Sequence, residues 1–223
     1  VADRLGPELR AVCDAMRERN PSIDAAIDLA LAEPAGPVVL ADGADNAGGG
    51  APSDSTFVLR RLIERGIEGA ILGPLWDPVA VSIAMQAGEG ARLALRIGGK
   101  VAPVSGDPLD VQVEVRAVRR GLQVPGLSGS MDTLGDAVLV AIGGVEVLLN
   151  SRRTQGFSTE MFSRMGADPS ARRIVVTKSS QHFHASFSTI ATRIVYVDAP
   201  GALTADLTTL AFHRARRAVI ESY

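Results

Sequence analysis

The chain has a single cysteine, Cys13, among 223 residues. No internal disulfide can form, which fits a soluble protein of a reducing, cytoplasmic compartment. Aromatic residues make up only 4% while 46% are hydrophobic, so the core must rest on Val, Leu, Ile and Ala. Lysine is scarce: of 23 basic residues only Lys100 and Lys178 are Lys. Positive charge is not in excess, and a formal net charge of -2 speaks against a nucleic-acid partner, which needs clustered basic residues. No apolar run approaches the roughly 20 residues that span a bilayer, and no signal peptide is visible, so no membrane partner is expected. Several catalytic signatures are missing as well. Without a Gly-x-Ser-x-Gly elbow there is no ordinary Ser-His-Asp hydrolase, and Ser180 and His182 lie too close in sequence to form the usual triad bond. No Gly-Lys-Ser/Thr ends a phosphate loop, and the adjacent glycines are not a spaced dinucleotide fingerprint.

What is present has an α/β rhythm. Residues 7–19 have helical spacing, with Pro7 in the first turn and Cys13 read as a buried thiol. Residues 22–32 predict a second helix, capped by Ser22, favoured at its start by Asp24 and ended by Pro34. Residues 1–34 therefore read as a helical lead-in and 35–223 as an α/β domain. Val38 to Gly43 is a buried strand, 54–65 a helix closed by Gly66, Glu68 to Gly73 a strand, and Asp77 to Gln86 a helix. That alternation is the mark of parallel βαβ units. From about 91 to 150 the pattern changes to an antiparallel β section, with strands at Arg92–Ile97, Val111–Val118, Ala137–Ile142 and Val145–Leu149. Gly143-Gly144 is its hairpin signal. A helix at about 158–165, a strand at Arg173–Thr177, a helix after Ser179-Ser180 and a strand at Arg193–Val197 complete the domain. The expected fold is a mixed sheet with βαβ units flanked by helices and an inserted antiparallel section. The tail from Ala202 reads as irregular, with His213 on its surface.

Two loops have chemical potential, because both follow strands, and ligands of open α/β sheets gather at the carboxyl ends of strands. The first runs from Asp45 through Asn46 and Gly48-Gly49-Gly50 to Thr56. Adjacent glycines allow close backbone approach and can turn N–H groups toward an anion or a substrate carboxylate. The same glycines could simply relieve crowding in a tight loop. Asp45 could bind a substrate amine or cap its own loop. The second is Lys178-Ser179-Ser180-Gln181-His182-Phe183, five polar groups after an apolar run. Either serine could be an ordinary helix cap. His182 and His184 would point about 200° apart on a helix start, so a two-His metal site is not expected.

At these loops the sequence resembles a known family. Asp45 to Thr56, Gly73-Pro74-Leu75-Trp76-Asp77-Pro78, Arg96-Ile97-Gly98-Gly99-Lys100, Arg172 to Phe183 and Val195 to Gly201 are similar to the C-terminal domain of the microcystinase C (MlrC) family. The five motifs occur in order across about residues 20–220. The resemblance implies a zinc-dependent metallopeptidase or amide hydrolase. Its zinc ligands and catalytic carboxylate would belong to a preceding N-terminal domain, and none would lie in this chain. It also implies that Asp45 and the Lys178–His182 loop face the active-site cleft. There the glycine loop would receive a carboxylate, while Lys178 and His182 would offer donors to a peptide or amide substrate. Two positions depart from the family pattern: Ala47 stands where proline is common and His184 where arginine is usual. The start at Val1 is expected of a split or cleaved C-terminal piece whose partner is the N-terminal domain of the same protein. Two other readings stand beside this one: an anion- or nucleotide-binding module using Gly48–Gly50, and a structural or oligomerisation domain. The sequence leaves homo-oligomerisation open.

Overall fold

The computed structural model describes residues 2–15 and 20–204, with the backbone alone for 13–15. The expected buried Cys13 thiol, the helix beyond residue 15, His213 and the tail from 205 lie outside the described residues. In chain order the elements are α1 (Ala2–Ala15), α2 (Ile23–Ala32), β1 (Val38–Ala41), α3 (Phe57–Glu64), β2 (Ala70–Trp76), α4 (Pro78–Ala87) and β3 (Arg92–Ile97). There follow β4 (Leu109–Pro125), β5 (Met131–Ile142), β6 (Val145–Asn150), α5 (Glu160–Ser163), β7 (Ile174–Thr177), α6 (His184–Phe187) and β8 (Arg193–Tyr196).

All eight strands form one sheet in the order β3-β4-β5-β6-β2-β7-β1-β8. From β6 to β8 neighbours are parallel, and from β3 to β6 they are antiparallel. The expected mixed sheet with an antiparallel section is therefore observed. The parallel strands are apolar throughout because both faces are covered. Val38 and Leu40 of β1 join Leu72, Val176 and Val147 under α2, α3 and α4. Their alternates Val39 and Ala41 join Val175, Leu148, Met161, Phe162 and Phe187 on the opposite face. Each fully buried aliphatic side chain in these two layers contributes about 1.5–3 kcal/mol.

The structure differs from the sequence reading in several places. Helix α1 begins at Ala2, so Pro7 lies inside it rather than in its first turn. The carbonyl that Pro7 leaves unbonded sits in an exposed helix, where water can satisfy it. Helix α2 packs onto the sheet. Ala26, Ile27 and Ala30 of α2 are fully buried in the core, and Arg61 of α3 and Arg65 at its C-terminal cap pair with Asp24 and Asp28. Strands β4 and β5 run well beyond 118 and before 137, with register shifts near Leu122. There Leu122, Val124 and Leu134 are buried on the layer that contains α5, a packing that their polar neighbours conceal in the sequence. Helices α5 and α6 are single turns of four residues.

Candidate functional site at the carboxyl rim of the sheet

Strands β1 and β7 are parallel neighbours with Ala41 opposite Thr177, so the segments that leave them start side by side. The Asn46 side-chain amide donates to Ser180 Oγ at 3.0 Å and joins the two loops. Strand β8 flanks β1 on its other side, and the Tyr196 hydroxyl donates to Gln181 Oε1 at 3.4 Å. Gln181 and His182 are exposed, Ser180 is half-buried, and Gly48, Gly49 and Gly50 face solvent.

Beneath this surface lies a charged cluster. Lys178 is only 1% exposed, and Asp42 and Asp45 are equally buried at 0% and 1%. The Lys178 ammonium lies 2.8 Å from Asp45 Oδ2 and 3.3 Å from Asp42 Oδ2. It also donates to the carbonyl of Ser55 at 3.0 Å and to its hydroxyl at 2.9 Å. Two carboxylates and one ammonium would leave a net negative charge in a dry site. Burial pushes the Asp42 carboxyl above its ordinary 3.8, against the opposing pull of Lys178. Burial also works to lower Lys178, but Asp45 and then Asp42 outweigh it and hold the ammonium above its ordinary 10.5. Both shifts favour a proton: Lys178 keeps its charge, and Asp42 is the carboxyl whose neutral form burial favours. Asp42 Oδ1 has no hydrogen-bond partner among the described residues.

Asp45 and Lys178 do not point into an open cleft; each is occupied by the other and by the chain around them. The Asp45 carboxylate accepts the N–H groups of Ser53 at 2.8 Å and Ser55 at 2.7 Å. It thereby fills the anion position that the glycine loop was expected to offer a ligand. The loop's other donors are also occupied. Gly48 N–H donates to Asn46 Oδ1, Gly49 and Ala51 to the Asn46 carbonyl, and Gly50 to that of Ala47. A carboxylate or phosphate guest would have to break these bonds, so the loop is a shaped wall and not an anion cradle. The same anchoring explains why α3 starts at Phe57. Ser53 is held at a φ of 67°, and Ser53 and Ser55 are tied to Asp45, which is incompatible with a helix from 54.

Gln155, which the sequence reading did not single out, connects the surface to the cluster. It is 5% exposed, donates to Ser179 Oγ at 2.6 Å and lies 3.5 Å from His182 Nδ1. The His182 ring also stacks obliquely on Phe157, with centroids 5.9 Å apart. His184 belongs to α6 and contacts Phe183 rather than joining His182. Asp42 was legible only as the end of an apolar run; its partnership with a residue 136 positions away was not.

A second network extends the rim. Asp54 accepts the N–H groups of Lys100 and Val101 at 2.8 and 3.0 Å, and the Ser105 hydroxyl. Asp77 caps α4 through Ala80 N–H, and its other oxygen takes Gly98 N–H at 2.9 Å and the Lys100 ammonium at 2.7 Å. Both lysines of the chain thus end on buried aspartates.

Among the described residues no group of three or more His, Cys, Asp or Glu is placed to hold a metal ion. Asp42 and Asp45 already share a cation, Lys178. The donor set described in this chain therefore does not fit a resident zinc ion. No helix among the described residues is long and apolar enough to cross a membrane.

Fold and rim together define an α/β domain that presents a polar edge built from several distant turns. The MlrC C-terminus family matches residues 40–214, and the chain belongs to that family. Microcystinase C of Sphingomonas sp. is 34% identical over 199 residues, a stretch covering 88% of this chain and 39% of that protein. The crystal structure of a Mesorhizobium sp. BNC1 protein named "Putative metallopeptidase" superposes with a TM-score of 0.78 at 27% identity. The superposition covers 91% of this chain and 41% of the other. The chain thus spans about two fifths of the length of these relatives.

Proposed function

We propose that this chain is the substrate-side domain of a zinc-dependent peptide or amide hydrolase, and that it completes the cleft of a preceding metal-binding domain of the same protein. The observation that supports this reading is the meeting of the β1 and β7 loops through Asn46 and Ser180. That clip presents Gln181 and His182 at one solvent-facing rim, in a chain similar to a protein named Microcystinase C and to a structure named "Putative metallopeptidase".

Each group then has a distinct task. The exposed Gln181 amide and His182 ring offer hydrogen bonds to backbone groups of an extended peptide. Gln155 fixes the His182 ring from below. Asp42, Asp45 and Lys178 are positioning residues that hold both loops from inside. Zinc, bound by ligands outside this chain, would supply Lewis acidity and a water activated near neutral pH. A cytoplasmic location fits the single cysteine and belongs to the same proposal.

The test uses the full-length protein. Hydrolysis of a linear peptide should stop on chelation and return with zinc. His182→Ala and Gln181→Ala should each lower kcat/KM about tenfold, a loss on the order of 1.4 kcal/mol. If both variants retain wild-type kcat/KM, the rim does not hold substrate. Unaided turnover by this chain alone would also overturn the assignment.

A further inference from the structure

The rim contains a cavity that none of the motifs above explains. It has a volume of about 270 Å³ and lies where the segments after β1, β7 and β8 come together. Its polar wall consists of Ser180, Gln181, Tyr196, Asp198 and Asn20, and Leu203 closes one side. Gly43 and Ala44 belong to the same lining. Among the described residues of that lining Asp198 is the one that bears a charge. Its side chain is exposed, and among the described residues its carboxylate has no hydrogen-bond or ion-pair partner. Its backbone is fixed nonetheless: Asp198 N–H donates to the Pro21 carbonyl at 2.9 Å, beside the bridge between Ser22 and Asp198.

The remaining wall has matching chemistry. Tyr196 lines the cavity beside Asp198, donates its hydroxyl to Gln181 Oε1, and meets the Phe183 ring edge to face at 6.0 Å, which fixes its own ring in place. A carboxylate and an aromatic ring in a cavity of side-chain size favour an organic cation. Coulomb attraction and the ring quadrupole both act on an ammonium or guanidinium, and neither favours an anion. The adjoining Lys178 does not cancel this field, because it is buried between Asp42 and Asp45.

We infer that this cavity is a subsite for a positively charged group of the substrate, an ammonium or guanidinium, and that Asp198 selects it. The inference rests on the reading of the rim as a substrate cleft, and adds a charge preference to it. The cation could be a basic side chain or the free amino end of a peptide. Both share this chemistry and are separated by the test.

The experiment measures fluorescence anisotropy of short peptides on full-length protein kept in chelator, so that binding is read without turnover. The parent probe is Ala-Arg-Ala-Ala with a C-terminal dye; its companions replace Arg by citrulline, acetylate the amino end, or do both. One neutralisation should weaken binding about three- to tenfold, and which one it is identifies the source. Asp198→Asn should weaken the cationic probe by the same factor and leave the doubly neutral probe unchanged. Equal losses on charged and neutral probes, or no loss on either, would overturn the subsite. Absence of hydrolysis by the zinc-loaded wild type would instead overturn the hydrolase assignment, while the charge preference in binding would still be readable.

Discussion

Lys178 and Lys100 are the two lysines of a chain whose other basic residues are arginines, and each meets a buried aspartate. A compact ammonium can direct three donors to acceptors crowded on different sides, whereas a planar guanidinium needs a flat, wider site. Lys178→Met would leave Asp42 and Asp45 facing each other without a counter-charge. Urea unfolding should show a loss of about 3–5 kcal/mol. Lys178→Arg should also destabilise, because the fork cannot reach Asp42, Asp45 and both Ser55 oxygens together. Wild-type stability in either variant would show that the cluster is not a structural anchor. The pH response has a defined sign. Asp42 is raised above 3.8 in the folded chain, chiefly by burial, so its contribution is complete below 3.8 and is lost as pH rises through the raised value. Lys178 is raised above 10.5, despite burial, by Asp45 and Asp42, so its contribution persists to 10.5 and is lost at more alkaline pH. Asp42→Asn should remove the loss that sets in as pH rises above 3.8 and leave the alkaline one, as followed by thermal unfolding across pH.

Among the elements, the glycine loop is shaped by its neighbours. A Cβ on Gly48 would lie 2.1 Å from Gln155 Oε1. Gly48→Ala must therefore displace Gln155, which holds Ser179 and approaches His182. The expected outcome is a modest stability loss of about 1 kcal/mol together with a changed His182 environment. Proton NMR of the His182 ring is the direct measurement; an unchanged resonance would disconnect the glycine loop from the second loop. The three glycines were legible as a tight loop. Their saturated N–H groups were not, because the acceptors include Asn46 and Ala47 carbonyls whose direction depends on the turn.

For the molecule as a whole, α2 links the N-terminal segment to the sheet. Ile27 is fully buried although it precedes the family match at 40. Ile27→Ala should cost about 2–5 kcal/mol and shift the single unfolding transition of the domain. A separate early transition, with the main one unmoved, would return α2 to the role of an independent lead-in. The same layer carries the Arg61 and Arg65 pairs with Asp24 and Asp28, which are half or more exposed on the acidic side and add little beside the burial.

By itself the sequence determined the order of strands and helices, the switch from parallel to antiparallel patterning near residue 91, and five motifs that mark one family. Those are local properties, written in periodicity, turn residues and caps. Only the tertiary structure decided that Asn46 meets Ser180, that Lys178 is enclosed by Asp42 and Asp45, and that Asp198 is left facing a cavity. Strand order is set by how both faces of the sheet are buried, and adjacency across 130 and more residues follows from that order alone.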